Sequence, residues 1–103
     1  MPTKEATLQI LRLHFPHLRD EYGLSRLSLT GSVARGTATA DSDVDVIAEF
    51  DRPIGLRFME FAERLETVLG SKVDVLTPDG VASIRIPHIA ASLREAAIDV
   101  RTG

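Results

Sequence analysis

Asp43 and Asp45 stand two residues apart in the run Ser-Asp-Val-Asp-Val-Ile, residues 42–47. A strand repeats every two residues, so the alternation sends both carboxylates to one face and Val44 and Val46 to the other. Aligned carboxylates repel, and the arrangement is costly unless it is well solvated or holds a cation. Oxygen ligands without a nearby Cys or His suit a hard ion. Mg²⁺ typically takes one or two carboxylates and completes its shell with water and substrate phosphates. A third acid, Asp74, lies between valines in Lys-Val-Asp-Val-Leu, residues 72–76. If the two segments are neighbouring strands, three carboxylates converge on one surface. That geometry suits phosphoryl transfer with two metal ions roughly 4 Å apart. Alternating acids also mark the wet face of an ordinary strand, but Asp is depleted in strands, and three at valine-flanked centres weigh against that reading.

Upstream, residues 31–36 read Gly-Ser-Val-Ala-Arg-Gly. Gly31 lets the backbone approach a phosphate closely, and a helix starting at Ser32 offers free N–H groups to an anion. Ser32 adds a hydroxyl, and Arg35 adds a cationic fork for phosphate oxygens. Alone, the segment is equally an ordinary strand-to-helix turn. It is a poor phosphate-binding P-loop, because Thr37 stands where that motif needs the lysine that reaches the β- and γ-phosphates. Ser42 is placed to order the loop before the acidic strand through a hydroxyl-to-backbone bond.

The elements that would position these residues follow from periodicity. An amphipathic helix runs from Thr3, its cap, to about His14, with Leu8, Leu11 and Phe15 on one face. Pro16 interrupts it, a short turn of helix continues to Tyr22, and Gly23 stops it. Leu24 to Thr30 alternates as a half-buried strand, with Leu27 and Leu29 on one face and Ser28 and Thr30 on the other. Asp43 to Phe50 is a second strand. After Pro53 and Gly55, a helix presents Phe58, Phe61, Ala62, Leu65 and Leu69 and ends at Gly70. Phe58, Met59 and Phe61 read as core rather than as a platform for a nucleobase. Lys72 to Leu76 is a third strand, stopped by Thr77 and Pro78. The tail from about Pro87 to Ile98 favours helix, with Ile89, Leu93, Ala96 and Ala97 as its buried stripe. The order is α-β-α-β-α-β-α, an α/β fold with a small mixed sheet flanked by helices.

The chain's 103 residues fit one domain, residues 1–103. Apolar residues make up 44% and charged residues 26%, as in a globular protein. So short a chain buries one modest core without a deep self-contained cleft, which leaves room for a second chain, identical or different, to complete a site. The net charge of −3 argues against a bulk grip on nucleic acid. No cysteine is present, which excludes disulfides and thiolate zinc sites and fits a cytoplasmic location. The N-terminus lacks a secretory pattern, and no apolar stretch is long enough for a bilayer. His14, His17 and His88 do not form a metal-ligand pattern and read as structural or surface residues. Arg85, Arg94 and Arg101 face either an acidic partner or solvent.

Together, Leu-Ser-Leu-Thr-Gly-Ser, residues 27–32, the acid pair Asp43 and Asp45, and the later Asp74 resemble the nucleotidyltransferase superfamily with the DNA polymerase β-like fold. The Gly-Ser-x-Ala-Arg-Gly and Ser-Asp-x-Asp wording resembles its minimal nucleotidyltransferases, often encoded beside a HEPN-domain toxin as antitoxins. The likeness covers nearly the whole chain, with Thr30 departing from a frequent Phe before Gly-Ser. It implies that Gly31 and Ser32 hold a nucleoside triphosphate, with Arg35 a further phosphate contact. It implies that Asp43 and Asp45 bind two Mg²⁺ ions, and that Asp74 binds the catalytic ion and helps activate the attacking hydroxyl. It further implies transfer of AMP from ATP to a hydroxyl of a HEPN partner. The competing expectations are an antitoxin that acts by binding alone, and a small-molecule enzyme similar to aminoglycoside nucleotidyltransferases, which usually carry an extra helical domain.

Overall fold

The computed structural model describes residues 3–82, 91 and 97–101. Helix α1 spans Lys4–Tyr22. The Thr3 hydroxyl accepts the Ala6 N–H at 3.2 Å, and Gly23, at φ 76°, closes the helix by donating its N–H to the Arg19 carbonyl. The helix does not break at Pro16 as its sequence predicts. Pro16 is exposed, and the buried stripe Leu8, Leu11, Phe15, Leu18 and Tyr22 continues past it. A mid-helix proline costs ~3 kcal/mol. Burying a large apolar side chain contributes ~1.5–3 kcal/mol, and Leu18 and Tyr22 are 1% and 0% exposed. Packing beyond the proline therefore offsets the lost hydrogen bond.

Strand β1, Leu24–Thr30, leads into the single-turn helix α2, Gly31–Arg35. Strand β2, Val44–Phe50, is followed by α3, Arg57–Leu69, which Gly70 caps. Strand β3, Val73–Leu76, α4, Pro78–Ala82, and β4, Ile98–Asp99, follow. The sheet is ordered β3-β2-β1-β4; β1 runs antiparallel to β2 and β4, while β2 and β3 run parallel. It is a small mixed sheet flanked by helices, as the periodicity predicts.

One sheet face carries the core. Leu27, Leu29, Val44, Val46 and Ala48 are each at most 1% exposed and pack with the α1 stripe and with Phe61 and Leu65 of α3. Phe61 meets Tyr22 and Phe50 edge-on, at 5.4 and 5.1 Å between ring centroids, a preferred aromatic geometry.

Several expectations are corrected. Asp43 precedes β2 instead of opening it. Thr30 is fully buried, although it lies on the face opposite Leu29. Met59 is 69% exposed, because it turns away from the Phe61–Leu65 side of α3. The third strand does end before Thr77 and Pro78 as expected, and Pro78 then opens a helical turn, where its fixed φ is pre-organised. Ile98 belongs to a strand, not to a terminal helix: Ile98 and Asp99 pair with Leu29 and Ser28. Two residues are too few to show a period of two. Ile89, Leu93 and Ala96 of the predicted stripe, with Arg85, His88 and Arg94, lie outside the described residues. His17 pairs with Glu21 at 3.0 Å, and Arg101 stacks over Phe15.

Candidate nucleotidyl-transfer site

The parallel pairing of β2 and β3 sets the acids side by side. Val44 opposes Val73, Asp45 opposes Asp74, and Val46 opposes Val75. Val44, Val46 and Val73 are buried at 1%, 0% and 7% exposure, so the intervening Asp45 and Asp74 leave the opposite face. Asp43 is exposed, one residue before the strand. The next residue, Val44, is fixed by its N–H donating to the Lys72 carbonyl at 2.9 Å.

The loop between α2 and β2 is tied by hydroxyls. The Ser42 hydroxyl accepts the Thr39 N–H at 2.8 Å, and the Ser42 N–H donates to the Thr39 carbonyl at 3.1 Å. This is the hydroxyl-to-backbone bond expected of Ser42. It closes the turn directly before Asp43. At the other end of the loop, Thr37 donates its N–H to the Ser32 carbonyl at 2.9 Å.

Gly31 joins the loop to the acids. Its φ is 71°, a left-handed conformation that side chains disfavour. A Cβ there would collide with the Asp45 carboxylate. The missing side chain lets the backbone of the Gly-Ser turn lie directly against Asp45. Ser32 and Arg35 follow on α2, half-buried and exposed respectively.

The electrostatics bind these residues into one group. The Asp45 carboxyl is pushed above the ordinary carboxylate range, first by partial burial, then by the charges of Asp74 and Asp43 and by a hydrogen bond with Asp74. Arg35 pulls it partly back. Asp45 therefore senses Asp43, Asp74 and Arg35 across a short span, with Gly31 in contact. A carboxylate raised by neighbouring acids suits a cation, which would take the place of its proton. Among the described residues no group of three or more acids or histidines is arranged to hold a metal ion. Mg²⁺ does not require one, because it keeps water and substrate phosphates as ligands.

The sequence did not single out Thr30 as part of the site. It is fully buried and pairs directly with Asp45 across the β1–β2 ladder. Nothing in the sequence marked it, because Thr30 shares the polar face of β1 with Ser28.

The model of the nucleotidyltransferase domain family matches residues 11–100. A protein of Methanocaldococcus jannaschii, provisionally named as a protein adenylyltransferase, is 39% identical over 98 residues, covering 92% of this chain and 95% of the relative. The protein adenylyltransferase MntA of Thermococcus cleftensis is 38% identical over 84 residues, covering 81% of this chain and 85% of the relative. A solved structure described as a minimal nucleotidyltransferase superposes with a TM-score of 0.69 at 30% identity, covering 93% of this chain and 94% of that one. The complex of a tri-AMPylated Shewanella oneidensis HEPN toxin with its MNT antitoxin shares the fold, with a TM-score of 0.59 at 19% identity over 90% of this chain and 71% of that one. With the Gly-Ser turn set against paired aspartates, and with these matches along almost its whole length, the chain belongs to the nucleotidyltransferase domain family.

Proposed function

We propose that this enzyme is a Mg²⁺-dependent protein adenylyltransferase, the antitoxin of a HEPN toxin pair, which moves AMP from ATP to a hydroxyl of its partner. The pairing of Asp45 with Asp74 across β2 and β3, beside Gly31, is the single observation that carries the mechanism. The naming of the Methanocaldococcus and Thermococcus relatives, and the HEPN–MNT complex that shares the fold, support the acceptor and the partner.

Asp43 and Asp45 would hold two Mg²⁺ ions, with Asp74 reaching one of them. Bound there, the metal neutralises charge that develops on the phosphoryl oxygens. Gly31 and Ser32 seat the triphosphate, and Arg35 offers N–H donors to its oxygens. Asp74 accepts the proton as the acceptor hydroxyl attacks the α-phosphorus. The bond from that phosphorus to the bridging oxygen breaks, and pyrophosphate leaves. The chain's contribution is placement and a fixed negative site, the usual division of labour in phosphoryl transfer. Ser42 keeps the loop before Asp43 closed. Residues 1–103 act as one domain, in the cytoplasm, where ATP and Mg²⁺ are abundant.

Incubation with ATP labelled at the α-phosphate, Mg²⁺ and the neighbouring HEPN protein is the test. Label should pass to the HEPN chain, and Asp43→Ala or Asp45→Ala should reduce transfer by at least about 100-fold. Neutralisation of the toxin without label transfer, undiminished in both variants, would replace this reading with inhibition by binding alone.

A further inference from the structure

We propose that Glu66, a residue outside the nucleotidyltransferase motif, is a positioning residue for Asp74. It rests on the role assigned to Asp74 above. Strand β3 is four residues long and, among the described residues, lies at the sheet's edge with β2 as its one strand neighbour. The outer N–H groups of such a strand have no ladder partner and need another acceptor. The Glu66 carboxylate supplies one, accepting the Val73 N–H at 3.1 Å in a half-buried contact. Val73 is the residue joined to Asp74.

Glu66 is itself firmly placed. It lies in the last turn of α3, where its carbonyl accepts the capping Gly70 N–H at 2.8 Å. Its neighbour Leu65 is fully buried and anchors the helix to the sheet. On the other side of β3, the Lys72 carbonyl accepts the Val44 N–H at 2.9 Å. The start of β3 is therefore held by β2 on one edge and by a charge-assisted bond from α3 on the other. These two restraints set the height of the Asp74 carboxylate relative to Asp45. The outer bond adds to the β2 ladder and to the burial of Val73 in fixing the first residues of this four-residue strand. Displacement of about 1 Å in a catalytic group can cost up to about 100-fold in rate.

The experiment compares Glu66→Ala, Glu66→Gln and Asp74→Asn in the label-transfer assay, with the folded fraction of each measured by circular dichroism. Glu66→Ala should lower kcat per folded molecule by roughly tenfold and raise the Mg²⁺ concentration for half-maximal rate, with KM for ATP unchanged. Glu66→Gln keeps an acceptor oxygen and should restore most of kcat. If Glu66→Ala does not fold, Glu66→Leu, which keeps helix propensity and the buried methylenes, replaces it in the same comparison. A wild-type kcat per folded molecule and an unchanged Mg²⁺ dependence in the Ala or Leu variant would overturn the inference. If Asp74→Asn is inactive at the same time, Glu66 alone is excluded. If Asp74→Asn is fully active, the role given to Asp74 falls as well.

Discussion

At the scale of single residues, Gly31 and Asp45 depend on each other. The positive φ at Gly31 costs a side-chain-bearing residue about 1–2 kcal/mol, and a Cβ there would also drive into the Asp45 carboxylate. Gly31→Ala should therefore lose at least about tenfold in transfer rate and about 1–2 kcal/mol of stability. Urea unfolding and the label-transfer assay read the two effects separately. Asp45 offers a second test. Its folded carboxyl binds a proton more tightly than an ordinary aspartate, through burial and the neighbouring Asp74 and Asp43. A raised carboxyl contributes stability below its unfolded pKa and loses that contribution as the pH rises through its folded value. At neutral pH the ionised Asp45 thus opposes folding when no metal is bound. Asp45→Asn should raise the melting temperature of the metal-free protein at pH 7, with the gain shrinking as the pH falls into the carboxylate range, while transfer is abolished. A thermal melt series in EDTA at several pH values checks this. Because Arg35 pulls Asp45 down, Arg35→Ala should move the acidic limb of the pH–rate profile to higher pH.

At the scale of elements, what could be read in advance depended on how many residues carried the signal. Leu27 to Thr30 of β1 alternate in sequence, and the stripe Phe61–Leu65–Leu69 with its glycine stop marks α3. A two-residue β4 carries no period, and it forms because β1 has an open edge beside Leu29. Pro16 shows the limit of a local rule. Its penalty is real, but the buried Leu18 and Tyr22 beyond it decide the outcome. Pro16→Ala should stabilise the protein by about 1–3 kcal/mol, because the side chain is exposed and the stripe is already helical. Unchanged or lower stability in denaturant titration would contradict that account. Tyr22 carries a different strain. Burial first, and then the nearby Glu60, raises the pKa of its hydroxyl, while Arg57 first, and then Tyr22, lowers that of Glu60; among the described residues no partner sits at good hydrogen-bonding geometry to the buried hydroxyl. Arg57 covers the ring instead, 4.6 Å from its centroid. Tyr22→Phe should leave stability unchanged or raise it by up to about 1 kcal/mol, since it removes a buried polar group that is poorly paired.

At the scale of the whole molecule, the fold serves to bring three sequence-distant pieces to one end of a sheet. The acids and the Gly-Ser turn were legible because each is a short motif with a fixed spacing. Their convergence was legible only on the condition that β2 and β3 are neighbours, which the parallel register supplies. The supports were not legible. Glu66 looks like any helix-surface acid, and Thr30 like any strand residue, until the tertiary contacts are known. The C-terminal strand is drawn in similarly, by Val100 donating its N–H to Leu27 and by Arg12 donating to the Val100 carbonyl at 2.6 Å. Among the described residues no helix is long and apolar enough to cross a membrane. The central claim is that Asp43, Asp45 and Asp74 form the metal site for a nucleoside triphosphate. Its most direct test is a crystal structure with Mn²⁺ and a non-hydrolysable ATP analogue, using anomalous scattering to locate the metal. The account predicts anomalous peaks bound by Asp43 and Asp45, one of them also contacting Asp74, with the triphosphate against Gly31 and Ser32. A nucleotide bound elsewhere, or the analogue seated with no metal between the three aspartates, would contradict it.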